Sequence, residues 1–379
     1  MQDKLLNRRN NGGILIQLST SNDIVSQQQA ILQHLDRLGI THLTVCTENF
    51  AACSLHLSLH EKLQDRHIHD YDSLNLSATF GIQPHANTGD LEKEIILSML
   101  CGPVTFTYPS YAEFAAAVRI RINIVEAARR TALAFHTTKI ERPNDYWSYS
   151  EETGFILLPG KPLIEALRKA TQPDSSGMRY AFSCYRATEY VILLAIAEEA
   201  ARSNPELLQQ LQQQWETRAI MSRQFHEIFL DEIGSMNEPL PSRYYIPGDR
   251  LWFRNPDAHS ANIDGYEGSW VFYLGNGLFS NFWEIDQPFT FDSKCLEIYH
   301  WRHGARVDAT GTLQMDENIV HEHVLASLND AAEYAQILQK MQRLRDPQEV
   351  YEEGGCIDAS RECSRFICHG TTTIALPLA

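Results

Sequence analysis

The chain has no long apolar run and no excess of positive charge, and each absence argues against one class of partner. No stretch reaches the roughly 18 consecutive apolar residues that a transmembrane helix needs. The 48 acidic residues outnumber the 32 lysines and arginines, which gives a formal net charge of −16. This negative charge disfavours a phosphate backbone or an anionic membrane as the main partner. We therefore expect no nucleic-acid partner and no membrane span.

Cysteine is sparse, and no N-terminal targeting segment is visible. Eight cysteines are scattered over 379 residues, which is typical of reduced thiols in a cytoplasmic protein rather than of a disulfide framework. Residues 1–9 are not followed by an apolar stretch or a small-residue cleavage site. Export by a route that needs no such signal stays open. A Gly-rich phosphate loop is also missing, and no cofactor is expected.

Hydrophobic residues make up 44% of the chain and charged residues 21%, which is enough for a packed core. The pattern predicts an α+β protein in three parts: an N-terminal α/β domain (1–103), a central domain (104–315), and a C-terminal helix with a cysteine-containing tail (316–379). In the first part, strands at 13–19 and 42–46 flank a helix that stops at Gly39, which predicts a parallel strand pair.

The central part is predicted to place its helices before its strands. Ser110 and Glu113 have the spacing of a capping box, and a long helix is predicted from about Cys184 to Ser203. A further helix is expected over 206–230, followed by antiparallel strands at 251–254, 270–274 and 278–283. Beyond these strands, the apolar spacing over 324–341 predicts one amphipathic helix.

Cys184 stands where a polar segment meets the long apolar helix. Unpaired N–H groups and the helix dipole at such a position lower the pKa of a thiol. A thiol with a lowered pKa is a nucleophile, provided that a neighbouring strand supplies a base. We therefore expect Cys184 to be the reactive cysteine.

Five dispersed stretches in a fixed order carry a family resemblance. They are YPSYAE (108–113), RINIVEAA (121–128), NDYW (144–147), YAFSC (180–184) and the segment 247–276, which contains PGD and YLGNG. Over about residues 105–310 the chain resembles the bacterial protein-glutamine γ-glutamyltransferases of the Bacillus spore-coat type. The PGD strand and YLGNG hairpin are also similar to the NlpC cell-wall peptidase superfamily. The resemblance implies a papain-like core of helices packed on an antiparallel sheet.

The resemblance implies an acyl transfer with Cys184 as the nucleophile. A thiolate attacks a glutamine side-chain amide, ammonia leaves, and a lysine amine resolves the thioester to an isopeptide bond or water deamidates the glutamine. The implied partners are proteins that carry glutamine and lysine side chains.

Three partner positions differ from the family. Where the transglutaminases have glutamates before the cysteine and at the head of the hairpin strand, this chain has Ser183 and Ser269, and Asn281 replaces a later histidine. Glu267, two residues before Ser269, would project to the same strand face and is the predicted displaced base. Asn281 is predicted to orient a catalytic partner. Two alternatives stay open: a catalytically impaired binding or structural module, and a cysteine amidase or peptidase.

Two other groups of cysteine and histidine lack the spacing of a familiar zinc motif, and no metal site is predicted from them. One group is Cys53, His56, His60, His67 and His69; the other is Cys356, Cys363, Cys368 and His369. His300 and His303 are predicted to lie at the surface and to pack with aromatic residues.

Overall fold

A computed structural model describes residues 12–60, 63, 70–134, 140–346, 348 and 355–377. The fold is α+β, as predicted, with 12 helices and several small sheets in the described part of the chain. No helix within these residues is both long enough and apolar enough to cross a membrane.

The helices lie mainly in the central part of the chain. Their bounds are α1 Ile24–Arg37, α2 Leu76–Phe80, α3 Thr88–Leu100, α4 Tyr111–Arg130, α5 Leu163–Thr171, α6 Pro173–Ser176, α7 Cys184–Ser203, α8 Pro205–Thr217, α9 Ser222–Phe229, α10 Phe291–Gly304, α11 Glu317–Leu328 and α12 Ala331–Met341.

The strands are short and form five separate sheets among the described residues. Their bounds are β1 Gly13–Gln17, β2 Thr44–Asn49, β3 Ser54–Leu59, β4 Thr105–Tyr108, β5 Trp147–Ser150, β6 Gly154–Leu157, β7 Leu230–Ile233, β8 Arg250–Arg254, β9 Gly268–Gly275, β10 Leu278–Phe279, β11 Phe289–Thr290, β12 Ala305–Val307, β13 Leu313–Met315 and β14 Arg361–Ser364.

The N-terminal sheet has the strand order β2-β3-β1-β4. The predicted parallel pairing of the first two strands is wrong, because β3 lies between β1 and β2 and runs antiparallel to both. β3 reads SLHLSL, an alternating strand pattern that the prediction left out. The parallel partner of β1 is β4, with Gly13 opposite Thr105.

Cys101 and Gly102 are buried, although a Gly-Pro pair usually marks an exposed turn. Gly102 lies against Tyr244, and a Cβ atom on this glycine would come within 2.2 Å of the tyrosine oxygen. The Tyr244 hydroxyl donates to the Ser98 carbonyl at 3.1 Å. The division at residue 103 stays a prediction, but β4, which lies beyond it, completes the N-terminal sheet.

The centre of the molecule is the helix α7, which spans Cys184–Ser203 as predicted. Its residues from Ala187 to Ala197 are all buried, and apart from Thr188 and Glu189 they are hydrophobic, as expected of a helix packed on every side. It packs against α4, α5, α8 and β9. β9 belongs to the antiparallel sheet β11-β10-β9-β8, in which Trp252 of β8 faces Trp270 of β9.

Two of the predicted helices are broken in two. Residues 206–230 form α8 and α9, and the helix expected over 324–341 is replaced by α11 and α12. Asp330 causes the second break, because its carboxylate accepts from the backbone N–H groups of Ala332 and Glu333 and so begins a new helix.

The C-terminal tail docks on Glu113 at the start of α4. Ser110 caps this helix by accepting from the Glu113 N–H at 3.2 Å, but the Glu113 side chain does not complete the predicted box. Its buried carboxylate accepts instead from the backbone N–H groups of Ile367 at 3.1 Å and Cys368 at 2.8 Å. Glu113 therefore connects the tail to the core.

Glu113→Ala should release the tail. The free energy of unfolding should fall by about 1–3 kcal/mol for each buried N–H donor that loses its partner. Urea unfolding measures the loss, and limited proteolysis should show new cleavage after residue 360. The exposed Glu322→Ala is the matched control. Equal stability of the two variants would contradict this role for Glu113.

Candidate active site

Cys184 is the first residue of α7, and its position is set by the segment before it. Ser183 has an extended backbone and caps the helix by accepting from the Arg186 N–H at 3.3 Å. Phe182 is buried beneath the Arg142 guanidinium, whose central carbon lies 3.3 Å from the ring centroid. This anchored phenylalanine and the cap fix where the helix begins, and hence where the thiol lies.

The sulfur of Cys184 lies against strand β9. The backbone N–H groups of Trp270 and Tyr185 lie near the sulfur and favour its thiolate, as does the positive charge of Lys294. Burial nevertheless raises the pKa of the Cys184 thiol, and these favourable contacts only partly offset that effect. The predicted lowering is therefore wrong: a thiolate loses more from the missing water than it gains from the helix start.

Lys294 is a residue of this site that sequence reasoning missed. It lies on α10 and is 3% exposed. Its Nζ atom is 3.1 Å from a carboxylate oxygen of Glu297 and 3.8 Å from the ring centroid of Phe289. The only signal for it in the sequence is a lysine next to Cys295 and Leu296 with Glu297 three residues on, a spacing that can pair a buried lysine.

Ser269 is next in the chain to Trp270, which lies near the cysteine. It lies in β9 opposite Phe253, directly before Trp270, whose N–H contacts the sulfur. Strand alternation places Ser269 on the face of Val271, and Trp270 on the opposite face with Phe272. Neither Ser269 nor Ser183 offers a group that accepts a proton at neutral pH.

Glu267 lies one residue before β9 and is exposed. Its carboxylate accepts from the backbone N–H of Gly265 at 3.1 Å, which turns the side chain back onto its own loop. The predicted base role stays untested, and the observed hydrogen bond gives the carboxylate another partner.

Asn281 holds the loop that follows β10. Its Oδ1 atom accepts from the N–H groups of Trp283 and Glu284, both at 3.2 Å, and its Nδ2 atom donates to the Gln287 carbonyl at 3.0 Å. Both ends of the amide are thus engaged in one turn. The predicted role of orienting a catalytic partner stays untested.

Three half-buried aromatic side chains surround the helix start, and we call them the aromatic platform: Tyr185, Trp252 and Trp270. Trp252 and Trp270 stack with ring centroids 6.1 Å apart, and Tyr185 meets Trp270 edge-on at 4.9 Å. Gly268 makes this possible, since a Cβ atom there would lie 2.1 Å from the Trp252 indole nitrogen.

A buried group of charged residues packs against the aromatic platform. The Arg250 guanidinium lies about equally far from the Tyr185 and Trp270 ring centroids, at 5.1 and 5.0 Å. It forms an ion pair with Glu362 of β14, which also accepts from His226 at 2.8 Å. Burial alone would raise the pKa of Glu362, but the hydrogen bonds from His226 and Arg250 hold it below its usual value.

The cysteine and histidine groups considered in the sequence do not gather within the described residues. His67 and His69 lie outside those residues, and His56 contacts the Gly12 carbonyl at 3.1 Å. In the tail, the Cys356 sulfur lies 3.6 Å from that of Cys295, while Cys363 contacts the Asp231 carbonyl.

Comparison with known proteins extends the region of resemblance in both directions. Residues 72–363 match the sequence model of the protein-glutamine γ-glutamyltransferase family, a wider span than the 105–310 that the motifs mark. Three curated proteins named protein-glutamine γ-glutamyltransferase also match. The one from Halalkalibacterium halodurans is 23% identical over 208 residues, which cover 53% of this chain and 66% of that protein.

The other two relatives come from Bacillus. That of Bacillus licheniformis is 26% identical over 201 residues (51% of this chain, 74% of the relative), and that of Bacillus subtilis is 27% identical over 171 residues (43% and 62%). The matches thus span about two thirds of the length of these relatives. Because the family model covers most of the chain, including Cys184 and β9, this protein belongs to the protein-glutamine γ-glutamyltransferase family.

Proposed function

We propose that this protein is a transglutaminase that forms a γ-glutamyl thioester on Cys184. One observation carries the proposal: a cysteine at the first position of a buried helix, with backbone N–H groups of Trp270 and Tyr185 near its sulfur, in a chain of this family. The proposed core is papain-like, with the nucleophile helix packed on an antiparallel sheet.

The proposed reaction has two halves. The Cys184 sulfur attacks the side-chain carbonyl carbon of a glutamine, the C–N bond breaks, and ammonia leaves with the proton of the thiol. A lysine amine then attacks the thioester, the C–S bond breaks, and the sulfur regains a proton. The Cys184 backbone N–H, at the helix start, is the proposed donor to the tetrahedral oxyanion.

The aromatic platform is the proposed contact for the substrate side chain. Its flat rings suit the methylene groups of glutamine or lysine, and indole N–H groups can donate to an amide carbonyl. The net charge of −16 favours partners with exposed lysines. We also propose a cytoplasmic location, supported by eight cysteines that form no disulfide.

A second candidate function is a binding or structural module that has lost catalysis. It is favoured by the raised pKa of Cys184 and by serines at both positions where the resemblance expects glutamates. A third, hydrolysis of the thioester by water, uses the same nucleophile and differs only in the acceptor. Measurements of amine incorporation and ammonia release together separate the three.

Cys184→Ala should abolish the incorporation of a fluorescent primary amine into a glutamine-bearing protein such as casein, because no other atom can carry the thioester. Cys46→Ala, a half-buried cysteine of the N-terminal sheet, is the control and should keep full activity. Activity that persists in Cys184→Ala would refute the proposed mechanism. Ammonia release without amine incorporation by the native protein would indicate the hydrolase.

The alkylation rate of Cys184 by iodoacetamide should rise with pH and show no plateau below pH 9. The raised pKa leaves the thiol protonated at neutral pH, so the thiolate population grows about tenfold per pH unit. Lys294→Met should slow the reaction by up to about tenfold at a fixed pH, because a stabilising charge is lost. Lys294→Arg should restore the rate. A plateau near pH 7 would contradict the raised pKa, and mass spectrometry of the labelled peptide measures both effects.

Ser269→Glu should speed amine incorporation, because a carboxylate beside the thiol can take its proton as the sulfur attacks, but it should slow alkylation, because a nearby negative charge raises the pKa of the thiol further. Ser269→Gln, equal in size but uncharged, is the control. Glu267→Gln should cost much less than the about 10²–10⁴-fold that removal of a general base causes, since its carboxylate bonds its own loop. A loss of that full size would instead establish Glu267 as the displaced base.

A further inference from the structure

Three histidines from two helices converge beside the C-terminal end of α10. His300 and His303 are one helical turn apart on α10, and His323 comes from the neighbouring α11. One ring nitrogen of each lies within 4.8 Å of those of the other two. The Nδ1 atoms of His300 and His303 are 3.0 Å apart, and the rings of His303 and His323 stack at 4.2 Å.

The tautomer of His300 follows from its hydrogen bonds. Its Nε2 atom lies 2.9 Å from the Ser327 hydroxyl, and that hydroxyl donates to a carboxylate oxygen of Glu333 at 2.8 Å. A hydroxyl has one proton, so Ser327, having given it to Glu333, must accept from Nε2–H of His300. The Nδ1 atom of His300 therefore carries a lone pair, which accepts from the Nδ1–H of His303 and lies within 4.8 Å of a ring nitrogen of His323.

The relay from carboxylate through hydroxyl to imidazole has the form that orients metal-binding histidines. Such histidines donate their second ring N–H to a polar partner, which fixes the tautomer and makes the other nitrogen a better ligand. His300 and Ser327 are each 1% exposed, so the relay is held by packing, whereas His303 and His323 are exposed and can adjust.

We propose that His300, His303 and His323 form a binding site for a first-row transition metal ion, with Zn²⁺ as the best-fitting ion. Three imidazoles and one open position are a common zinc environment. Tetrahedral ligation at about 2.0–2.1 Å puts ligand nitrogens roughly 3.3 Å apart, between the shortest and longest separations seen here. The fourth position would take water.

The charges around the site are mixed. The Glu333 and Asp257 carboxylates act on His303 in favour of a cation, whereas Arg302 acts against it on both His303 and His300. Arg302, the neighbouring positive group, is held over the Tyr299 ring at 4.0 Å and donates to the Tyr299 carbonyl. The metal would thus join α10 to α11 and stabilise the C-terminal helix pair on the core.

The test uses the full-length protein after treatment with EDTA, with Zn²⁺ measured by competition against a chelating dye and Co²⁺ as a spectroscopic probe. We expect one Zn²⁺ per chain, Co²⁺ absorption of the tetrahedral kind with no thiolate charge-transfer band, and a higher melting temperature with Zn²⁺. Ser327→Ala should weaken binding by about 10–100-fold, and His323→Ala at least as much.

His321→Ala is the matched control, since His321 is exposed on the same helix and is not part of the cluster. It should bind Zn²⁺ as the native protein does. The proposal is overturned if His323→Ala binds as tightly as His321→Ala, if the Co²⁺ spectrum shows thiolate ligation, or if the native protein binds no Zn²⁺. The three rings would then be a hydrogen-bonded surface cluster.

Discussion

The contact between the start of α7 and β9, an inner strand of the four-stranded antiparallel sheet, determines the rest of the site. Helix α7 is buried on all sides, so its N-terminus cannot shift without disturbing the core. Strand β9 meets it there and directs the Trp270 N–H at the Cys184 sulfur. The same residue contributes its indole to the aromatic platform. One backbone contact therefore fixes both the nucleophile and the surface beside it.

The thiol shows how burial and polar contacts compete. A helix start, backbone donors and a buried lysine all favour the thiolate, and in a wetter site they would lower the pKa of Cys184 below its usual value. Burial outweighs them, so the neutral thiol is the resting state. A general base beside the thiol would take its proton as the sulfur attacks. The positions at which the family resemblance expects such a base hold Ser183 and Ser269. Ser183 serves the helix as its cap instead.

The features that depend on neighbouring residues in the chain could be predicted from the sequence. The extent of α7 follows from its long apolar run, and the stop near Gly39 follows from a glycine with positive φ. What depends on distant residues could not be predicted. Glu113 binds the tail rather than completing its box, β3 separates two expected neighbours, and Lys294 approaches Cys184 across more than one hundred positions. The pKa of the thiol depends mainly on burial, which distant parts of the chain provide, so helix position alone gave the wrong direction.

Helix α10 connects the two chemical features of the molecule. Lys294 near its start acts on the Cys184 thiol, and His300 and His303 near its end form the histidine cluster. These positions are six and nine residues apart, so they are separated by about 9–14 Å along the helix axis. Helix α10 packs against both α11 and α12, so the C-terminal helices support the element that carries Lys294.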